Sequence, residues 1–211
     1  ARHHGRHFCR HDRVAGLDTQ VIAIKPRDAW RFGYRLWLDR RNGIVLRSAL
    51  LNEKGYPVEQ LMFTDLQVKP LIEDAAFASP TLPPADAAVE ASSTSNGTDV
   101  PVGEQVARSA WRIDQLPEGF FKASHNRFTK APSHHPTEHL VFTDGLATIS
   151  VFVEKLDGTP LLLQGGSQMG SMLAFGAVVN GHQILVVGEV PAATVQRIAV
   201  SIQPDPEADK P

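Results

Sequence analysis

Residues 34–68, YRLWLDRRNGIVLRSALLNEKGYPVEQLMFTDLQV, constrain the fold more than any other stretch. They read as three antiparallel strands over residues 34–39, 44–51 and 58–68. Asn42-Gly43 suits the positive-φ positions of a type I′ hairpin, and Asn52-Glu53-Lys54-Gly55 supplies a second turn. With Arg41 opposite Ile44, the pleat fixes which side chains share a face. One face carries Tyr34, Leu36, Leu38, Arg47, Ala49 and Leu51; the other carries Arg35, Trp37, Asp39, Leu46, Ser48 and Leu50. Neither is cleanly polar, although a hairpin wet on one side alternates sharply. Apolar material therefore covers both faces, at least in part.

Upstream, ARHHGRHFCRHDR is dense in His and Arg and poor in apolar side chains. Order begins at Val14, with a turn near Gly16 and a strand over residues 19–24 that Pro26 stops. His3, His7 and His11 are spaced four apart with His4 and Cys9 nearby, which on a helix would gather zinc-ligand types on one side. No apolar stripe supports a helix, so a solvated terminus is the better reading and no metal is assigned.

From Lys69 to about Pro101 the chain turns to Ala, Pro, Ser, Thr, Asp and Glu, with Phe77 its sole aromatic. This is a flexible linker. As coil, its residues reach roughly 30 Å, enough for independent movement of what lies on either side. Residues 71–77 offer one short docking element within it. Beyond, strands are expected over residues 102–113, 120–128, 138–143, 146–154, 161–163, 172–179 and 183–187. Asp144-Gly145 and Asn180-Gly181 are read as two-residue turns. In residues 146–154 Ala147, Ile149, Val151 and Val153 form the apolar set that faces the core. After Pro191, Val195, Ile198, Ala199 and Ile202 line one side of a short helix. Residues 203–211, QPDPEADKP, are expected to be disordered.

Several of these pieces carry a resemblance. Pro26-Arg27-Asp28, Arg31 through Asp39, Leu46-Arg47-Ser48, Glu59-Gln60 and Phe63-Thr64 resemble the RseB/MucB family in its N-terminal domain. Trp111 with Leu116-Pro117-Glu118-Gly119-Phe120, the block Phe142 to Ala147 with Ser150-Val151-Phe152, and Val187 to Pro191 with Thr194-Val195 resemble its C-terminal domain, in the same order. The resemblance implies a mainly β (α+β) chain in four parts. Residues 1–68 are the C-terminal part of a LolA/LolB-like curved half-barrel, incomplete because about half of that domain is absent. Residues 69–101 are the linker, 102–203 a smaller β-rich domain with a C-terminal helix, and 204–211 a tail. So small a sheet has little core of its own, and a raw edge near residues 5–12 invites pairing with another copy.

Family membership would also set the function. It implies a non-enzymatic periplasmic regulator that binds the periplasmic domain of an RseA/MucA-like anti-sigma factor. There it shields that factor from the protease that starts envelope-stress signalling, until a lipid signal such as lipopolysaccharide releases it; lipopolysaccharide or lipoprotein acyl chains are the implied lipid ligands. The rival is a periplasmic lipid or lipoprotein carrier with no signalling partner. Partner contact is assigned to Arg108, Trp111, Arg112, Phe120, Arg127 and Phe142, because aromatics and arginines dominate binding hot spots, although core packing is the commoner role of such aromatics and an apolar stem with a solvated head that of such arginines. Lipid contact is assigned to Leu36, Trp37, Leu46, Leu50, Leu61 and Phe63 on the two-sided sheet. Localisation rests on the resemblance alone.

Other chemistry finds little support. The net charge of −2 offers no electrostatic footprint for nucleic acid. One cysteine permits no intrachain disulfide, and no apolar run approaches the roughly 18 residues of a membrane span or marks a leader. Residues 165–171, GGSQMGS, lack the lysine of a phosphate loop and read as a Gly/Ser loop. His134, His135 and His139 flank Pro136 without the glutamate of a zinc-protease helix, and read as a surface loop. Asp39, Asp65, Asp144 and Glu189 sit at turns or strand ends, where solvation is the ordinary reason for a carboxylate. No catalytic residue and no cofactor is assigned.

Overall fold

The structure, a computed structural model, describes residues 4–69, 73, 104–106, 108–129, 135–158 and 160–206, with only backbone for residues 4 and 6–10. Most of the linker, including the proposed docking element at residues 71–77, lies outside the described residues, as do His3, His134 and residues 207–211. No described helix is long and apolar enough to cross a membrane.

The N-terminal part is an open antiparallel meander of five strands in chain order. They are β1 (His4–Val14), β2 (Leu17–Pro26), β3 (Gly33–Asp39), β4 (Val45–Leu51) and β5 (Pro57–Met62). The His-rich start is an edge strand, so its four-residue spacing is never wound into a helix. Val14 pairs with Leu17 across a tight turn in which Ala15 and Gly16 both take positive φ, the pattern of a type I′ hairpin.

The β3–β4 connection differs from expectation. Asp39 N donates to Ile44 O at 2.8 Å and Gly43 N to Asp39 O at 2.8 Å, closing a four-residue loop over residues 40–43. Only Gly43 takes positive φ there; the Asn42 side chain instead accepts Ile44 N at 3.0 Å. A bulge follows, so Leu38 lies opposite Val45 and Trp37 opposite Arg47. This register sets Trp37, Arg47 and Ala49 on one face and Tyr34 and Leu50 on the other, and overturns the face pairing drawn from an Arg41–Ile44 match. The Arg47 guanidinium lies 4.2 Å from the centre of the Trp37 ring, whose Nε1 donates to Asp12 at 2.9 Å. Val14, Val21, Trp37, Leu46 and Ala49 make a small core on that face.

The C-terminal part is built on a seven-stranded antiparallel sheet. Its strands are β6 (Glu104–Gln105), β8 (Phe121–Thr129), β9 (Pro136–Thr143), β10 (Thr148–Lys155), β11 (Gly165–Met169), β12 (Met172–Val179) and β13 (His182–Gly188). They lie in the order β11-β12-β13-β10-β9-β8-β6. A two-stranded ribbon joins β7 (Trp111–Ile113) to β14 (Ile202–Pro204), and α1 (Ala192–Ser201) packs on β12 and β13. Ala147, Ile149, Val151 and Val153 are buried, as their alternation requires, and so are Val195, Ile198 and Ala199 on α1. Val179 pairs with His182 across Asn180-Gly181, both at positive φ.

Five local expectations fail here. Residues 102–113 are not one strand, because the Ser109 side chain accepts Trp111 N at 3.0 Å and turns the chain between β6 and β7. Residues 161–163 are not a strand. There the Leu163 carbonyl crosses directly over Gly176, where any side chain would collide with it, and Leu162 N donates to Gln183 at 3.1 Å. Residues 165–169, read as loop, form β11 on the free side of β12. Gln203 and Pro204, read as tail, pair with β7. Asp144-Gly145 is part of a four-residue loop in which Asp144 Oδ1 accepts Leu146 N and Ala147 N, each at 2.9 Å.

Candidate functional site

A polar network spans the seam between the two sheets. The segment between β2 and β3, Pro26-Arg27-Asp28-Ala29-Trp30-Arg31-Phe32, projects from the first sheet into the second. Arg31 is its centre: its side chain is 0% exposed. Its Nε donates to Asp144 at 2.6 Å, and its two terminal nitrogens donate to the Asp28 carboxylate and the Glu118 carbonyl. Its guanidinium also lies 4.7 Å from the centre of the Phe120 ring. Burial of an arginine is tolerable only when its donors are matched in this way.

Neighbouring contacts extend the seam. Thr194 Oγ1 on α1 donates to Trp30 O at 3.0 Å, and Arg197 lies over the Trp30 ring at 4.6 Å. Phe32 and Leu50 from the first sheet belong to the same apolar cluster as Phe120, Leu140, Phe142, Ile149 and Val195 from the second, with Tyr34 and Val58 packed against it. At the far end, the Ser171 hydroxyl lies between Glu59 of β5 and Glu189, in contact with Glu59 and 2.9 Å from Glu189. A shared core and a buried ion pair thus join the two parts, contacts that the expectation of independent movement did not include.

Electrostatics follow from this packing. Burial alone would raise the Asp144 pKa, but the N–H groups of Ala147 and Leu146 and the Arg31 guanidinium outweigh it and hold the carboxyl below its ordinary value. Burial pushes the Tyr34 phenol up, with the negative charges of Glu189, Asp144 and Glu59 adding to the effect. On β9, burial lowers the His139 pKa; the ring stacks on Phe152 at 4.3 Å and its Nε2 is 3.1 Å from Ser150 Oγ. His139 is thus a strand residue rather than part of a surface loop.

A cleft of about 470 Å³ opens elsewhere on the second sheet, lined by Trp111, Arg127, Glu138, Lys155 and His182 among others. Glu138 is buried and accepts from Arg127 at 2.8 Å and from Ser109 at 3.1 Å, with His125 Nε2 at 3.0 Å. Trp111 meets His182 edge-on at 4.8 Å.

Of the six residues assigned to a protein partner, Trp111 and Arg127 share this cleft and Phe120 stands in the seam. Phe142 is buried in the common core. Arg112 is paired with Asp114 at 3.3 Å, and Arg108 is exposed. Of the six assigned to lipid, Trp37 and Leu46 are occupied in the small core and Leu50 in the seam, while Leu36 is half-buried. Leu61 and Phe63 remain 71% and 47% exposed at the β5 edge. Two buried carboxylates carry no signal of their burial in the sequence, Asp144 in the seam and Asp39 beside the 40–43 loop. Asp144 and Asp39, read as solvated, have side chains only 3% and 2% exposed. Their turn positions hide this, because turn carboxylates cap backbone N–H groups whether or not the turn is covered.

The comparisons with known proteins agree with this two-part build. Residues 6–82 match the MucB/RseB N-terminal domain and residues 105–203 the MucB/RseB C-terminal domain. Sigma factor AlgU regulatory protein MucB of Pseudomonas aeruginosa is 36% identical over 202 residues, covering 94% of this chain and 60% of the relative. A crystal structure of MucB in complex with MucA(peri) superposes with a TM-score of 0.76 at 32% identity, covering 96% of this chain and 68% of that one. A crystal structure of MucB superposes with a TM-score of 0.61 at 30% identity, over 96% of this chain and 63% of that one. The chain thus spans about 60% of the length of that curated relative. It belongs to the MucB/RseB family.

Proposed function

We propose that this chain is a periplasmic regulator of an envelope-stress sigma factor. In this reading it binds the periplasmic segment of a MucA/RseA-like anti-sigma factor and shields that segment from regulated proteolysis, with a lipid signal releasing the block. The observation that carries the reading is the docked arrangement of the two sheets. The chain superposes on MucB in complex with MucA(peri) with a higher TM-score than on MucB in the other crystal structure, over the same share of this chain. The Arg31 seam braces that arrangement with contacts from within the chain. Pre-organisation of this kind lowers the cost of binding, because the partner need not order the two sheets itself.

The partner's contacts fall, in this reading, on the cleft that Trp111 and Arg127 line and on Arg108 and Arg112 beside it in sequence. Phe120 and Phe142 act through the core that supports this surface. Leu61 and Phe63 are the residues left to meet an acyl chain. The test is a pull-down of the full chain against the periplasmic segment of the organism's own anti-sigma factor, repeated with Arg112→Glu and Arg127→Glu. Capture by the unaltered chain and weaker capture by the charge reversals supports the reading. Folded protein that captures no segment sinks it.

A further inference from the structure

We propose that β11 is a strand-addition edge that takes up an extended, basic peptide segment. Of the four strands that end the two sheets, three are guarded in the ways edges usually are. β1 is dense in His and Arg and bulges between Cys9 and His11. β5 carries Pro57 and Glu59, and β6 is two residues long. β11 has no charge, no proline and no bulge, and residues 166–169 are exposed.

Its open side follows from the turn. Met169 pairs with Met172 across Gly170-Ser171, where only the glycine takes positive φ, the pattern of a type II′ hairpin. The pair flanking such a turn exchanges both backbone hydrogen bonds, and the exchange then alternates along the ladder. Gly165, Ser167 and Met169 are thereby committed to β12, while Gly166 and Gln168 aim N–H and C=O outward. A strand added there meets backbone donors and acceptors in the strand-addition mode of peptide recognition, and no side chain at Gly166 stands in its way. A Cβ at Gly166 would lie 3.8 Å from the Phe175 ring. An apolar guest residue opposite this glycine therefore packs toward the half-buried Phe175.

The guest's charge is set at the turn. The Ser171 hydroxyl contacts Glu59 and lies 2.9 Å from Glu189. Among the described residues neither glutamate has an ion pair, and both charges are felt at the Tyr34 phenol. A lysine or arginine on the guest, just past Met169, supplies the missing cation. A second copy of β11 does not. Antiparallel pairing would set each Ser171 end against the other copy's Leu-Leu-Leu-Gln-Gly run, which carries no charge. The proposal does not need the anti-sigma reading, because binding is measured with a synthetic peptide and no partner protein.

The experiment is fluorescence anisotropy of the full chain with a labelled peptide of alternating valine and threonine and a lysine at each end. The comparisons are the same peptide with glutamate ends and the same peptide with every backbone nitrogen methylated. Gln168→Pro removes an outward N–H and keeps the β12 ladder, since proline is tolerated where an edge N–H faces solvent; urea unfolding reports whether it folds. The lysine-ended peptide is expected to bind, at least about tenfold more weakly to Gln168→Pro and about threefold more weakly to Glu59→Gln at low salt. Methylation is expected to abolish binding, which tests the same edge on the unaltered chain. No binding of the lysine-ended peptide, undiminished binding of the methylated one, or equal binding by folded Gln168→Pro overturns strand addition. Equal binding of the glutamate-ended peptide overturns the basic guest. A dimer in sedimentation velocity that Gln168→Pro abolishes would give the edge to a second copy instead and overturn the peptide assignment.

Discussion

Replacing Arg31 by alanine perturbs the seam at its centre, and its cost follows from the geometry. The substitution leaves Asp144, 3% exposed, and Asp28, 24% exposed, without their shared cation. It also strips the Glu118 carbonyl of a donor and empties the space over the Phe120 ring. Removing one partner of a buried ion pair costs about 3–5 kcal/mol, because the orphaned charge is worse than the pair was good. Total stability of about 5–15 kcal/mol leaves little margin for such a loss. At roughly 2–4 °C per kcal/mol for a chain of this size, Tm falls by about 6–20 °C. Urea unfolding followed by tryptophan fluorescence reads the effect directly, since Trp30 adjoins the site. One transition is expected for the native chain, because the two sheets share a core. The control is Arg31→Met combined with Asp144→Asn: the asparagine oxygen still accepts Leu146 N and Ala147 N, and no charge is stranded on Asp144. The double variant should be more stable than Arg31→Met alone by about 1–3 kcal/mol. A loss below about 1 kcal/mol in Arg31→Ala, or strict additivity in the double variant, would refute the buried Arg31–Asp144 pair as a stabilising contact of the seam.

Three further outcomes are expected. The folded-state pKa of Asp144 is depressed, so its stabilisation is complete above the unfolded value of about 4 and is lost as pH falls through the lower folded value. Acid titration of unfolding free energy should therefore show the native chain and Asp144→Asn converging below about pH 4; parallel curves would contradict this. At the Ser171 contact one hydroxyl proton serves two carboxylates, so Glu189→Gln supplies a second donor and should leave stability unchanged or raise it by about 1 kcal/mol; a clear loss in urea unfolding would count against the geometry. Gly176→Ala places a Cβ against the Leu163 carbonyl, where backbone must shift. A loss of about 1–3 kcal/mol is expected by the same assay, and no loss would mean the crossing segment is not where the structure puts it.

Legibility in the sequence tracked how local each determinant is. The apolar alternation of Ala147, Ile149, Val151 and Val153 and the three-four spacing on α1 identify buried faces directly, because strand and helix periods are written into neighbouring residues. Asn180-Gly181 is a two-residue turn as read, whereas Asn42-Gly43 is not. The dipeptide is compatible with more than one loop, and the Asp39 backbone hydrogen bonds choose the longer one. That choice moves Trp37 from the side of Leu50 to the side of Arg47, a change no periodicity announces. The seam was the least legible feature. Arg31 and Asp144 are 113 residues apart, and nothing near either one signals the other. Residues 165–169 look like a loop because glycine and serine have poor strand propensity, yet pairing with β12 overrides it.

The proposed protection of an anti-sigma factor is tested through proteolysis of that factor. The most direct measurement is the rate at which the site-specific envelope protease cleaves the anti-sigma factor's periplasmic segment, with the chain added in increasing amounts. The rate is expected to fall in step with the bound fraction, and Arg31→Ala to protect less at equal concentration. Cleavage that continues unchanged at concentrations where binding is complete would contradict it.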